Sequence, residues 1–264
     1  MDPKNPHTKS PNIDQLQKYA KDLAEIYQSK KEKAKELHTT KQQLFKYADD
    51  FNQTILELKT TNQKLQESYL DTIHRLALAA EYKDEDTGDH IVRMSRYCAF
   101  IANKYGLSPM EVHHILYASP MHDIGKIGVP DDILMKPGKL TDEEFEIMKT
   151  HTTIGAKILA HSKSEILKVA EQIALYHHEK WNGTGYPHGL SGDTIPLTAR
   201  IVAVADAFDA LTSKRPYKDP YPFEVACDII KKERGQHFDP TVVDVFLRNI
   251  DEIVKIKQKN TIEN

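Results

Sequence analysis

Thirteen histidines are spread along the 264 residues, and several of them are spaced for metal chemistry. His122-Asp123 is followed by Lys126, four residues after the histidine and three after the aspartate. On a helix covering Ile115 to Ile124, that spacing sets the three side chains on neighbouring parts of one face. Gly125 and Gly128 leave room close to the backbone, and Pro130 ends the run. Asp86 and His90 lie upstream; His151, the pair His177-His178 and Asp206 lie downstream. Imidazole and carboxylate are ligands for first-row ions such as Fe, Mn or Zn. Adjacent helical residues diverge by about 100°, so His177 and His178 are expected to serve two neighbouring ions, with Asp123 able to bridge them. Two such ions clamp the oxygens of a phosphodiester and bring the pKa of a bound water to roughly 7. Lys126 then neutralises phosphate charge.

Other residues of the same types carry a plainer expectation. His113-His114 has no carboxylate at matching spacing and reads as partly exposed helix surface. His7, His38, His74 and His161 read as solvated, and His188 and His237 as loop residues without an identifiable partner. Asp209, three residues after Asp206 on one helical face, reads as orienting a ligand histidine. Trp181 reads as packing the loop around it.

The elements that must hold these residues are helical. Ser108-Pro109-Met110-Glu111 and Thr141-Asp142-Glu143-Glu144 both carry capping-box signals. Helices are expected near 198–213, 222–234 and 241–257, and a long loop rich in Gly and Pro covers Asn182 to Pro196. No strand pattern of useful length appears, so the fold class is all-α. Neither Gly nor Pro occurs from Asn12 to Thr87, and 4-3 spacing holds from Leu16 to Tyr69 over nearly eight heptads. A strict 3.5-residue repeat is a coiled-coil signal, and the stalk would run about 80 Å at 1.5 Å per residue. Asn62 at an a position favours two strands in register, hence a parallel homodimer through residues 16–69. The expected organisation is a disordered start (1–14), a dimeric stalk (15–70) and a globular domain (71–258).

Composition narrows the setting. A formal charge of −3 favours no nucleic-acid polymer. No segment reaches the roughly 18 apolar residues of a membrane span. The two cysteines, Cys98 and Cys227, read as small core residues in a reducing cytoplasm.

Residues 177–187, His-His-Glu-Lys-Trp-Asn-Gly-Thr-Gly-Tyr-Pro, together with His122-Asp123-Ile124-Gly125-Lys126-Ile127-Gly128, resemble the HD-GYP family of metal-dependent phosphohydrolases. The likeness continues through Ala199-Arg200, Val204-Ala205-Asp206, Phe208-Asp209-Ala210-Leu211 and Arg215-Pro216-Tyr217-Lys218, covering roughly 71–255. The resemblance implies a helical bundle that hydrolyses cyclic di-GMP to pGpG and GMP at two or three divalent ions, iron or alternatively manganese. It carries the metal ligands onto Asp86, His90, His122, Asp123, His151, His177, His178 and Asp206. Asp123 and Lys126 are the catalytic pair; Lys126, Tyr186, Arg215 and Lys218 contact substrate. Asp86 stands where trinuclear members resemble a Glu, one methylene longer, which leaves the third ion open. Cyclic GMP-AMP or pGpG as substrate, and a nucleotide-binding sensor or scaffold with little activity, are the competing readings. The stalk would join the chain to itself, or to a partner or sensor.

Overall fold

The computed structural model describes residues 12–84, 89–214 and 219–262, and within them the protein is helical with isolated bridges but no sheet. Asp86, Arg215 and Lys218 lie outside the described residues, as does most of the segment expected to be disordered. Contacts divide the chain into two compact units, residues 1–67 and 68–264.

Helix α1 covers Ile13–Glu81. In the first unit it exposes Leu16, Leu23, Leu37, Leu44, Phe51, Leu58 and Leu65, the apolar stripe of the heptads. No described helix is long and apolar enough to cross a membrane.

The second unit contains the end of α1, where Ile73, Ala77, Ala80 and Glu81 are buried, and nine further helices among its described residues. These are α2 (Asp89–Tyr105), α3 (Pro109–Ala118), the single turn α4 (Asp131–Leu134), α5 (Asp142–Leu159), α6 (Glu165–Tyr176), α7 (Leu197–Thr212), α8 (Phe223–Lys232), α9 (Pro240–Arg248) and α10 (Ile250–Ile262). Ile91, Met94, Cys98 and Ile101 recur at helical spacing along α2 and are fully buried. That stripe lets α2 pack on α3, α7 and α10 at once. Phe208 of α7 anchors the centre, with ring contacts to Tyr97 at 5.7 Å and Phe246 at 5.1 Å. Both expected capping boxes form, at Ser108 with Glu111 and at Thr141 with Glu144.

Two boundaries differ from the sequence expectation. The helix expected over 241–257 is two helices, because Asn249 leaves helical geometry and its side-chain amide donates to Val245 O at 2.8 Å. The helix expected to carry His122-Asp123 ends at Ala118, and the chain continues as 3₁₀ turns over Ser119–Met121 and Ile124–Gly128. Pro120 is the physical reason, since it has no N–H with which to extend an α-helix.

Candidate metal centre

Five elements converge on one place. The first turn of α2 supplies His90, the 3₁₀ turns supply His122 and Asp123, α5 supplies His151, the end of α6 supplies His177 and His178, and α7 supplies Asp206. Their donor atoms form two sets, each with members within 4.8 Å of one another: His90, His122 and Asp206; and Asp123, His151, His177 and His178.

Asp123 stands between the sets. Its Oδ1 lies 3.3 Å from His151 Nε2 and 3.5 Å from His177 Nε2, and its Oδ2 lies 3.2 Å from His122 Nε2 and 2.8 Å from Lys126 Nζ. Asp206 Oδ1 completes the other set, 3.5 Å from His90 Nε2 and 4.0 Å from His122 Nε2. The expected proximity of His122, Asp123 and Lys126 therefore holds, although a 3₁₀ turn rather than an α-helix produces it. His177 and His178, expected to serve two neighbouring ions, have their donor atoms in one set. Helix α6 stops at Tyr176, so the 100° divergence no longer applies, and both imidazoles fall in one donor set with ring centroids 4.0 Å apart.

The imidazoles are oriented from behind. Nδ1 donates to Ser119 O from His122 at 3.0 Å, to Met148 O from His151 at 2.7 Å and to Ile173 O from His177 at 3.0 Å. A carbonyl only accepts, so Nδ1 carries a proton and Nε2 points inward. The Nε2 atoms of His122, His151 and His177, with Asp123 Oδ1, are buried and have no hydrogen-bond partner. Buried polar atoms normally find partners; three inward Nε2 atoms beside a bare carboxylate oxygen suit a cation. The donor set fits divalent metal ions.

His90 is held differently. Its Nδ1 donates to Asp209 Oδ2 at 2.8 Å, as expected for an orienting carboxylate. Asp209 also accepts two hydrogen bonds from Arg93 and one from Lys257 on α10. Burial alone would raise the Asp209 carboxyl, but the Arg93 and His90 hydrogen bonds outweigh it and hold the group well below the usual carboxylate range. Arg93 and Lys257 are contributions that spacing did not reveal.

Titration differs across the centre. Burial works against charge on His122, but Asp123 and Asp206 overcome it and raise the imidazole to about 9. Burial lowers His151 to about 4 against the pull of Asp123, and burial followed by repulsion from His177 keeps His178 well below its usual value. Neutral His151 and His178 are thus in the ligand form; at His122 a cation would displace a proton.

Two glycines allow the approach. A Cβ on Gly125 would collide with the backbone of His151 and Gly155 on α5, and one on Gly185 would collide with the backbone of His178 and Lys180. Gly128 would meet only the side chain of Ile154. The loop after His178 is pinned by buried Glu179, which accepts from His188 N at 2.8 Å and Leu190 N at 3.0 Å. Glu179 was not anticipated, although its position directly after the histidine pair was a signal. The Tyr186 ring stacks on His178 at 4.8 Å. Trp181 packs as expected, beneath the Arg200 guanidinium at 5.6 Å. His188 and His237 do have partners, the rings of Tyr176 and Phe238. His113 is exposed and His114 partly so, away from both donor sets.

The sequence matches the HD domain family over residues 33–242. The chain belongs to the HD domain family. The His122-Asp123 and Gly185-Tyr186-Pro187 motifs put it in the HD-GYP branch, whose members are metal-dependent. Among curated relatives, it is 45% identical over 193 residues to the 3′3′-cGAMP-specific phosphodiesterase 2 of Vibrio cholerae, covering 73% of this chain and 37% of that one. It is 44% identical to a cyclic di-GMP phosphodiesterase of Thermotoga maritima, with 83% and 60% covered. It is 43% identical to the cyclic di-GMP phosphodiesterase response regulator RpfG of Xanthomonas campestris, with 81% and 58% covered. The HD-GYP chain thus spans between 37% and 60% of the length of these relatives. A crystal structure of a V. cholerae cyclic GMP-AMP specific phosphodiesterase shares the fold, with a TM-score of 0.55 at 20% identity over 73% of this chain and 53% of that one.

Proposed function

We propose that this chain hydrolyses a cyclic dinucleotide, cyclic di-GMP in the first place, to pGpG and GMP at a pair of divalent ions. The observation that carries the reading is the set of buried, partnerless Nε2 atoms facing Asp123 Oδ1, each imidazole fixed through its Nδ1. His90, His122 and Asp206 would hold one ion; His151, His177 and His178 would hold the other; Asp123 would bridge them. When bound, such a pair supplies polarisation of the phosphoryl oxygens and a water acidified to roughly pKa 7. The chain's own residues do the rest. Lys126, its ammonium beside Asp123, neutralises charge on the phosphate. Asp209 fixes His90, and Tyr186 lines the approach from the pinned loop. Arg215 and Lys218 contact the substrate phosphates, and Asp86 would hold the third ion where three rather than two are bound. Iron is the first choice of metal and manganese the second. The exposed Leu stripe supports a parallel homodimer through residues 16–69, open to a partner or sensor and at work in the cytoplasm.

Purified protein loaded anaerobically with Fe(II), or with Mn(II), is expected to convert cyclic di-GMP to pGpG and then GMP on nucleotide chromatography. Intact dinucleotide with both metals would sink this reading. Cyclic GMP-AMP is the second substrate, favoured by the 45% identity to a protein named for it. Comparing kcat/KM for cyclic di-GMP, cyclic GMP-AMP and pGpG ranks the three.

A further inference from the structure

Phe145 is one of three large apolar residues of α5 that stand exposed, with Ile147 and Ile158, and of the three it is the aromatic one. Its side chain is 46% exposed, on the first turns of a helix whose other end of contacts is the metal centre. It is not isolated there. Its ring meets Tyr186 edge-on at 6.2 Å, and Tyr186 stacks on His178 at 4.8 Å with 25° between the planes. Lys149, one turn further along α5, sets its ammonium 5.5 Å from the Phe145 centroid and 5.7 Å from that of Tyr186. The same ammonium also pairs with the exposed Glu146 at 2.6 Å. An aromatic path therefore leads from a donor histidine to the surface in two ring-to-ring steps.

Resting on the phosphodiesterase reading above, we propose that the Phe145 ring, held edge-on by Tyr186 and tied by Lys149, is the stacking platform for one purine base of the cyclic dinucleotide. A base hangs one sugar away from its phosphate, so with the phosphate at the donor sets a base falls one or two ring widths out. Every base has a π-face, and aromatic side chains hold bases by that face with little dependence on hydrogen bonding. The platform recognises a purine by its flat surface. Lys149 contributes by holding both rings through cation–π contact. Tyr186 is fixed on its other side, because its loop is anchored by Glu179 and its own N–H donates to His178 O at 3.2 Å. The exposed part of Phe145 is what remains for a ligand.

Phe145 also follows the Thr141 cap at a position where it could staple onto Leu140. Leucine keeps that apolar contact and removes the flat face, so Phe145→Leu separates the two roles. Calorimetric titration of the metal-loaded full chain with cyclic di-GMP is expected to show binding weakened about tenfold in Phe145→Leu. KM rises by the same factor, kcat and metal per chain stay within twofold, and Phe145→Tyr restores wild-type affinity. Lys149→Gln weakens binding about threefold. Wild-type protein that binds the dinucleotide while Phe145→Leu binds it equally well removes the platform and leaves the phosphodiesterase reading standing. Wild-type protein that neither binds nor cleaves the dinucleotide removes both.

Discussion

The chain contains two adjacent histidine pairs, and they differ in everything except composition. His113-His114 lies inside the regular helix α3, with ring centroids 6.2 Å apart. His177-His178 begins where α6 ends, with ring centroids 4.0 Å apart and both side chains in one donor set. Inside a helix, successive side chains diverge, and backbone N–H and C=O groups are committed to one another. Past a helix end, carbonyls near the terminus are free to accept. His177 donates from Nδ1 to Ile173 O and Ala174 O and so turns Nε2 inward, as His151 does inside α5 through Met148 O. The dipeptide does not make the site; the donors gathered around it, Asp123 and His151, do.

The largest effect that could break this comparison comes from removing one member of each pair. His177→Ala deletes an inward donor, and its expected cost is about 10³-fold in turnover, from loss of several kcal/mol of transition-state stabilisation, with metal content reduced. His114→Ala is expected to leave turnover and metal content within twofold. Elemental analysis beside nucleotide chromatography reads both. Equal losses in the two variants would mean that the surrounding donor set is not what distinguishes the pairs.

A second comparison lies within one turn. Gly125→Ala drives a methyl into the backbone of His151 and Gly155, which must shift together with the imidazole they carry. Overpacking of this kind costs about 1–3 kcal/mol. Gly128→Ala meets only two methyl carbons of Ile154 at 3.0 Å, which a flexible side chain can yield. Thermal denaturation should therefore separate the two variants, with metal content lowered only in Gly125→Ala.

The donor residues stood out by order and spacing, and the resemblance to the HD-GYP family separated them from histidines such as His113 and His114. The helices were legible too: the boxes at Ser108 and Thr141 form as their sequences require. Direction was harder to read. Assuming that helix persisted through His178 sent the two imidazoles apart, and assuming it through Asp123 ignored Pro120, whose missing N–H was visible throughout. The split at Asn249 turns on one side-chain amide competing for Val245 O, a choice that helical periodicity does not register. Glu179, Arg93 and Lys257 were not anticipated, for different reasons. Arg93 and Lys257 act on a carboxylate distant in sequence, which no local pattern marks, and Glu179 acts on backbone, so its place after the histidine pair is its local signal.

The finest test contrasts the two ways in which imidazoles are held. His122, His151 and His177 donate to backbone carbonyls, which substitution cannot remove, whereas His90 donates to a carboxylate, which it can. Asp209→Asn retains an oxygen that can accept from His90 Nδ1. It removes the negative charge that raises ring basicity, and leaves Arg93 and Lys257 facing His90 without their counter-charge. Changes behind a metal-binding histidine typically cost about 10- to 100-fold in metal affinity. That loss should fall on the ion held by His90, His122 and Asp206, because the other set contains no imidazole oriented by Asp209. Titration with Mn(II) should then show one site weakened and one unchanged. If both sites weaken together, the Asp123 bridge couples them and the carboxylate behind His90 serves the whole centre; if neither does, the backbone-like geometry of the Nδ1 contact suffices and its charge is immaterial.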